Sequence, residues 1–181
     1  MEKFGKVIVK LRIPILILSF LLLIPSAIGY FNTRVNYDIL YYLPSEIETM
    51  QGQDILMDDF NKGAYAMVVV QNMDTKSTDK LIKKVEGVEH VAQVISYTGI
   101  VGEDVPSEIV PSKFRKYFEN DSTNTTLFAI FFDNTTSSDD TMNAITQIRE
   151  QTEGQAFISG MSAVVTDTKN LSEKETPLYV L

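Results

Sequence analysis

A stretch of 21 residues without a charged side chain lies near the amino end of the chain, from Ile13 to Thr33. At about 1.5 Å per residue, a helix of this length spans roughly 30 Å, close to the thickness of the hydrocarbon core of a bilayer. Twelve of residues 13–31 are Leu, Ile or Phe, and their insertion into lipid is favourable by roughly 4–7 kcal/mol. The sequence therefore predicts one transmembrane helix at residues 13–33.

The residues before this stretch are basic and predict its orientation. Residues 1–12 contain four basic side chains and one acidic side chain, a net charge of +3. Positive charge beside a span favours the cytoplasmic side of the membrane. We therefore expect a protein of the cell membrane with a cytoplasmic N-terminus, and with the residues after about position 33 extracytoplasmic.

A cleaved signal peptide is the alternative interpretation of the same segment. A basic start, an apolar run and the residues Pro25, Ser26 and Ala27 fit that template loosely. The apolar run is longer than the ~7–15 residues usual in a signal peptide, and proline is unfavourable near a cleavage site. A retained anchor is therefore favoured.

Composition and charge limit what the rest of the chain can do. Residues 32–181 contain 12 basic and 23 acidic side chains, a net charge of −11, which would repel the phosphates of a nucleic acid. The sequence has no cysteine, so disulfide bonds, thiol catalysis and cysteine-bound zinc are excluded. Apolar residues make up 44% of the sequence, enough for the packed core of one domain.

Helices and strands alternate after the apolar stretch. Strands rich in β-branched and aromatic residues are predicted at 64–73, 88–97, 125–133 and 156–160. Helices are predicted at 45–63, 77–86, 138–152 and from 162 onward, with a loop at 98–111 and a helical turn at 113–118. The predicted helix caps are Ser45, paired with Glu48 in a capping box, Ser138 and Ser162.

The order β-α-β-β-α-β over residues 64–161 predicts an α+β domain with ferredoxin-like topology. In that arrangement the first and third strands lie at the centre of an antiparallel sheet, and these two runs are the most apolar of the four. Neither run alternates cleanly between apolar and polar residues. Because helices cover one face of such a sheet, we infer that another domain or another copy of the chain covers the second face.

The sequence contains no recognisable motif of catalysis, cofactor binding or metal binding. His90 is the only histidine, which argues against a histidine metal cluster and indicates an ordinary polar residue of a strand. Asp58–Asp59 and Asp139–Asp140 are adjacent pairs, whose side chains do not face one another on a helix, and the second pair fits a first helical turn.

An acylphosphatase-like enzyme is a further alternative for a small domain of this topology. It would need a basic, glycine-rich cradle for phosphate, which a domain with a net charge of −11 does not supply. We therefore predict no enzymatic activity, no catalytic residue, no cofactor and no bound metal.

The layout of the whole chain resembles the RND superfamily of exporters, and within it the MMPL-type branch of bacteria and archaea. The resemblance rests on the basic start, the membrane span and the β-α-β-β-α-β domain, together with the runs NYDILYYLP (36–44), ISG (158–160) and ETPL (175–178). It covers essentially all 181 residues. It depends on the order of elements rather than on a catalytic signature.

The resemblance implies five segments along the chain. They are a cytoplasmic basic N-terminus (1–12), a transmembrane helix (13–33), a connecting segment and helix (34–63), a ferredoxin-like extracytoplasmic subdomain (64–161), and a helix leading towards a second transmembrane helix (162–181).

The resemblance also implies a function. The chain would be the N-terminal part of a proton-driven membrane exporter of lipidic or amphiphilic compounds, and its outer subdomain would shape the substrate passage. The family's proton-relaying residues lie in central membrane helices, so none is assigned to this sequence. The alternatives are a signal-anchored extracellular binding or scaffolding module that acts alone, and the sensor domain of a membrane receptor.

The partners implied by the resemblance are mostly apolar surfaces. They are the lipid bilayer, the remaining transmembrane helices and second porter subdomain of the full-length transporter, a second copy in a homo-oligomer, and a hydrophobic or amphiphilic substrate. Nucleic acid is not among them.

Overall fold

The computed structural model of the chain describes residues 2–33, 35–37, 40–102, 105–106, 109–152 and 154–180. The chain forms two compact units, Met1–Asn36 and Tyr37–Leu181. Helices and antiparallel strands are both present, which confirms the mixed class predicted from the sequence. Asp38 and Ile39, in the run 36–44 that contributes to the resemblance, lie outside the described residues.

The first unit contains two helices, α1 (Glu2–Lys10) and α2 (Arg12–Asn32). Leu11 separates them, with backbone angles φ −94° and ψ 12°. All residues from 5 to 30 are exposed, and the segment Arg12–Tyr30 is long and apolar enough to cross a membrane. The predicted apolar helix therefore forms, one residue earlier at each end, and α1 is a helix that the sequence pattern did not predict.

The second unit is one sheet with the helices that connect its strands. The strands are β1 (Ala64–Gln71), β2 (Val91–Ile95), β3 (Glu119–Asn120), β4 (Thr125–Phe132) and β5 (Ala156–Ser159). A short 3₁₀ turn (Leu40–Tyr42) precedes the helices α3 (Glu48–Asp58), α4 (Thr75–Glu86), α5 (Tyr97–Val101), α6 (Ser112–Arg115), α7 (Asp139–Thr152) and α8 (Met161–Val180). The four longer strands lie within their predicted ranges, whereas β3 and α5 were not predicted.

The strands are antiparallel and lie in the order β2-β4-β1-β5, with β3 paired to β4. All of β1 pairs with β4, from Ala64 opposite Phe132 to Gln71 opposite Thr125. β5 pairs with the second half of β1, and β2 pairs with β4 through a shift in register. β1 and β4 therefore occupy the centre of the sheet.

One face of the sheet forms the hydrophobic core. Residues 64, 66, 68 and 70 of β1 are buried, and the residues between them face the opposite side. Phe128, Ile130 and Phe132 of β4 are fully buried beside them, and α4 and α7 contribute Val85 and Ile145 to the same cluster. Buried and more exposed residues thus alternate along β1, as expected for a β-strand. The alternation is not visible in the sequence, because apolar residues lie on both faces of the sheet.

The helices α4 and α7 are capped by acidic or hydroxyl side chains. Asp74 caps α4, because its Oδ1 accepts a hydrogen bond from the N–H of Ser77 at 2.8 Å and its Oδ2 accepts one from the Ser77 hydroxyl at 2.8 Å. The first of these bonds contributes most to holding the pKa of Asp74 below its usual value. α4 therefore starts two residues before the predicted Ser77. The predicted cap Ser138 is confirmed, since its Oγ accepts from the N–H of Thr141 at 3.0 Å.

Two other predicted caps are wrong. α3 begins at Glu48 and has no side-chain cap, so the capping box with Ser45 does not form and the helix starts three residues later. α8 begins one residue before Ser162, whose buried hydroxyl donates to the carbonyl oxygen of Tyr65 at 3.0 Å. This bond joins residues 97 positions apart, so a local pattern could not reveal it.

Glycine is required where backbone segments approach one another. Gly63 was predicted to end α3, but that helix ends at Asp58. A Cβ at Gly63 would come within 2.4 Å of the carbonyl oxygen of Asn134, a distance that excludes any side chain. Gly160, between β5 and α8, has φ +114°, a conformation that side chains rarely adopt.

The predicted loop at 98–111 contains most of α5. The Oγ of Ser96 accepts a hydrogen bond from the N–H of Gly99 at 3.0 Å and so caps this short helix. Residues 103, 104, 107 and 108 of the predicted loop lie outside the described residues.

Replacing Phe128 with alanine tests the buried face of the sheet. Phe128 is fully buried, so Phe128→Ala should lower the free energy of unfolding by about 3–5 kcal/mol, through lost apolar contacts and the cavity left behind. Phe157 in the same sheet is 61% exposed, and Phe157→Ala should change the free energy by less than about 0.5 kcal/mol. Urea denaturation of the full chain in detergent, followed by circular dichroism, measures both. Equal losses would contradict the assignment of the core face.

Candidate functional site

His90 lies in the turn before β2, with φ of 68°, and not within a strand as predicted. Its Nδ1 is 3.2 Å from the Oδ1 of Asp133, and its Nε2 is 3.8 Å from Asp140 and 3.9 Å from Glu89. The prediction fails because a left-handed residue does not continue a strand. These contacts link the start of β2 to the end of β4 and to the first turn of α7.

The aspartate pairs do not form a site. Asp58 ends α3 and Asp59 follows it, and both are exposed. Asp139 and Asp140 are the first residues of α7, as predicted, and Asp139 accepts a hydrogen bond from Lys169 of α8 at 3.2 Å. Among the residues that the structure describes, no group of three or more His, Asp or Glu side chains is arranged to hold a metal ion.

The face of the sheet opposite the core is apolar and open to solvent. Tyr65 and Met67 of β1 and Phe157 of β5 are its most exposed large side chains, and Val69 and Phe131 are partly buried beside them. The strands β1, β2, β4 and β5 contain no charged residue. We call this surface the open face. Apolar surface of this kind marks sites of interaction with proteins, lipids or apolar ligands.

A polar cleft of about 360 Å³ lies where α5, the turn after α6 and the start of β4 come together. Its walls are mostly polar, and they include Tyr97, Arg115, Glu119, Asp121, Asn124 and Thr126. We call it the Glu119 cleft. It lies in a part of the second unit for which the sequence predicted a loop and a helical turn.

Aromatic packing and a short strand pairing build the walls of the cleft. The ring of Tyr97 lies 6.5 Å from that of Phe114 and 6.4 Å from that of Phe118, measured between ring centroids. This packing holds α5 against α6 and the turn that follows it. Glu119 then pairs with Thr126 across β3 and β4, which fixes Glu119 in the wall of the cleft.

Two polar groups of the cleft make no hydrogen bond with a described residue. Tyr97 is 7% exposed, and its Oη is buried without a hydrogen bond. The Nη2 of Arg115 donates to the Oδ2 of Asp121 at 2.8 Å, whereas the carboxylate of Glu119 makes no hydrogen bond or ion pair of its own with a described residue. Burial raises the pKa of Glu119, and the positive charge of Arg115 opposes this effect.

A second cavity, of about 10 Å³, adjoins the same residues and has room for about one water molecule. Tyr97, Thr98 and Glu119 line both spaces. The hydroxyl of Thr98 donates to the Oδ1 of Asp79 at 2.7 Å, which gives the smaller cavity a polar wall. The smaller cavity therefore lies beside the Glu119 cleft and also borders the core residue Ile82.

No sequence pattern predicted this cleft. Its walls come from segments as far apart along the chain as α4 and β4, with four elements between them, and only the fold brings them together. The one local signal was the pair Phe114 and Phe118 at helical spacing, flanked by basic residues. Such a pair predicts a helical turn with a buried side, not a binding site.

Comparison with known proteins does not assign the chain to a group. It matches no protein-family model, and no curated protein matches it in sequence. A function for the chain therefore has to be argued from its residues and its fold.

Glu119→Gln tests the electrostatics of the cleft. Because burial raises the pKa of Glu119, the folded chain binds this proton more tightly than the unfolded chain. The resulting stabilisation is fully present below the unfolded-state pKa, ordinarily 4.5, and is lost as pH rises through the folded-state pKa. Glu119→Gln should therefore raise the melting temperature at about pH 7, and the gain should shrink as pH falls towards about 4.

Glu86→Gln is the control, because Glu86 is exposed at the C-terminal end of α4 and carries the same charge. Its melting temperature should stay near that of the wild-type chain throughout the pH range. Thermal unfolding of the full chain in detergent, followed by circular dichroism, provides the comparison. A lower melting temperature for Glu119→Gln at neutral pH would show that burial is not the dominant effect on this carboxyl.

Proposed function

We propose that this chain is the first membrane helix and first outer subdomain of a proton-driven exporter of the RND superfamily, MMPL type, which moves lipidic or amphiphilic compounds. The proposal rests on one combination of features. The helix α2 is apolar and exposed, and the sheet of the second unit has an apolar open face opposite its core. The resemblance in the order of elements supplies the family and the substrate class.

The anchor is the first support for this proposal. α2 has no charged residue after Arg12, and its exposed surface would be covered by lipid in a bilayer. A segment that crosses the hydrocarbon core must satisfy its own backbone hydrogen bonds, and a helix does so. We propose that α1 lies on the cytoplasmic side because of its lysines, and that the second unit is extracytoplasmic.

The order of strands is the second support, and we propose a ferredoxin-like topology from it. Counted without the two-residue β3, the strands lie in the order second, third, first and fourth. α4 connects the first strand to the second, α7 connects the third to the fourth, and both helices contribute to one core. This is the order expected of a split β-α-β unit. β3, α5 and α6 would be additions between its second and third strands.

The open face is the third support, because it indicates a domain that works within a larger assembly. In the proposed exporter, the second porter subdomain or an amphiphilic substrate would contact this surface. Rigid-body movement of such a compact unit against its repeat would open and close the substrate passage as the membrane helices rearrange.

Membrane orientation can be measured with single cysteines, because the natural sequence has none. Asn143 of α7 and Lys6 of α1 are both exposed. We expect Asn143→Cys to react with an impermeant maleimide in intact cells, and Lys6→Cys to react only after the cells are permeabilised.

The reverse labelling pattern would overturn the orientation. Fractionation of the same cells separates the anchor from the signal peptide. Mature protein that begins near Ile28 and is found outside the membrane fraction would show that the apolar segment is cleaved.

The proposed transport function predicts what the coding region after Leu181 contains. It should encode five further apolar spans and then a second copy of the same layout. Deleting the whole gene should then increase the cellular retention of a fluorescent amphiphile, and collapsing the proton gradient should abolish the difference between the deletion strain and the wild type.

A stop codon directly after Leu181 would instead favour a signal-anchored module that acts alone. A downstream cytoplasmic signalling domain would favour a sensor. Retention that is the same with and without the gene, in cells that do encode the further spans, would reject the proposed substrate class.

A further inference from the structure

The Glu119 cleft has the size of a site for a small molecule. Its volume of about 360 Å³ lies near the lower end of the roughly 300–1,000 Å³ typical of ligand pockets. Its walls are mostly polar, unlike those of the open face. A compact, water-soluble compound suits this space better than a lipid chain.

Two groups in the wall gain a partner when such a compound enters. The buried Oη of Tyr97 has no hydrogen bond among the described residues, an unfavourable state for a hydroxyl removed from water. The partly buried carboxylate of Glu119 lacks a hydrogen bond with any described residue. Both groups have lone pairs that accept hydrogen bonds. The cleft therefore calls for a ligand with several donors.

Charge selects the kind of donor. Arg115 forms an ion pair with Asp121 at 2.8 Å and also attracts Glu119, so its one positive charge is shared between two carboxylates and the three side chains together remain negatively charged. Residues 32–181 carry a net charge of −11, which attracts cations and repels anions at long range. A neutral polyol could donate hydrogen bonds but would leave this excess negative charge uncompensated. An ammonium group supplies three donors and a positive charge at one point.

We propose that the Glu119 cleft binds a small organic cation through a primary ammonium group. The ammonium donates to the carboxylate of Glu119 and to the Oη of Tyr97, while Arg115 remains paired with Asp121. The proposal goes beyond transport and does not depend on it, because every residue that it uses belongs to the second unit.

The placement of Glu119, where burial raises its pKa, is consistent with a functional role. A carboxylate placed where burial disfavours its charge weakens the fold at neutral pH. A ligand cation removes that cost when it binds. Residues that lower stability without a structural role are typical of binding sites.

Calorimetric titration of the full chain with putrescine tests the proposal, in nanodiscs of phosphatidylcholine. Putrescine should bind at one site, whereas butanediol and succinate, which have the same chain length, should not. Glu119→Gln should weaken the affinity about tenfold or more, since it removes a charge-assisted hydrogen bond. Tyr97→Phe, which keeps the ring that packs on Phe114 and Phe118, should weaken it about fivefold.

Glu86→Gln is the matched control for diffuse attraction, because it removes the same charge at the opposite end of α4 from Thr75, a residue of the cleft wall. It should leave the affinity within about twofold of wild type. Circular dichroism melting curves establish that each variant is folded. Equal affinities of Glu119→Gln and Glu86→Gln for putrescine would overturn the proposal, and so would binding of butanediol as tight as that of putrescine.

The ammonium group could belong to a free amine or to a lipid headgroup, and the same titration distinguishes the two sources. Nanodiscs that contain phosphatidylethanolamine should compete with putrescine if the headgroup occupies the cleft. Unchanged affinity for putrescine in those discs identifies a free amine as the ligand. Both results require the same dependence on Glu119.

Discussion

Charged side chains are excluded from the parts of the chain that hold most of its apolar surface, and the rest of the structure depends on this separation. α2 has no charge after Arg12, and the four longer strands have none at all. In α2, the absence of charge leaves an exposed apolar surface that lipid can cover. In the sheet, it allows one face to pack as a core and leaves the other as the open face. Acidic residues with a structural role lie in helices and turns, where Asp74 caps α4 and Asp139 binds Lys169.

Local patterns were sufficient to predict the apolar helix and the four longer strands, because these depend on composition within a short window. They failed where a distant residue decides the outcome. Ser162 is a reasonable cap by sequence, but its hydroxyl bonds to Tyr65, 97 positions away. His90 follows a helix and precedes a strand, and its contact with Asp133, 43 positions away, exists only in the fold. The two-residue β3 is too short to leave any period in the sequence.

The Glu119 cleft could not be predicted for the same physical reason, and its energetics differ from those of the core. The core residues pack closely against one another, and replacing one with a smaller residue lowers stability by leaving a cavity. Glu119 is placed where burial raises its pKa, and the buried Oη of Tyr97 makes no hydrogen bond with a described residue. Neither feature is needed to close the sheet, because β3 pairs with β4 through its backbone. A buried hydroxyl without a hydrogen bond, and a carboxylate whose charge is disfavoured by burial, are more readily explained by ligand binding than by packing.

The acidic charge also discriminates among partners for the open face. A second copy of the chain would bring another domain with a net charge of −11 towards the first, and like net charges oppose association. At physiological ionic strength this repulsion is screened beyond ~8 Å, so it acts mainly once the two surfaces are close. An amphiphile, or an uncharged surface of a neighbouring domain, would cover the same apolar side chains without that repulsion. The net charge of residues 32–181 therefore opposes the pairing of this face with a second copy of the chain.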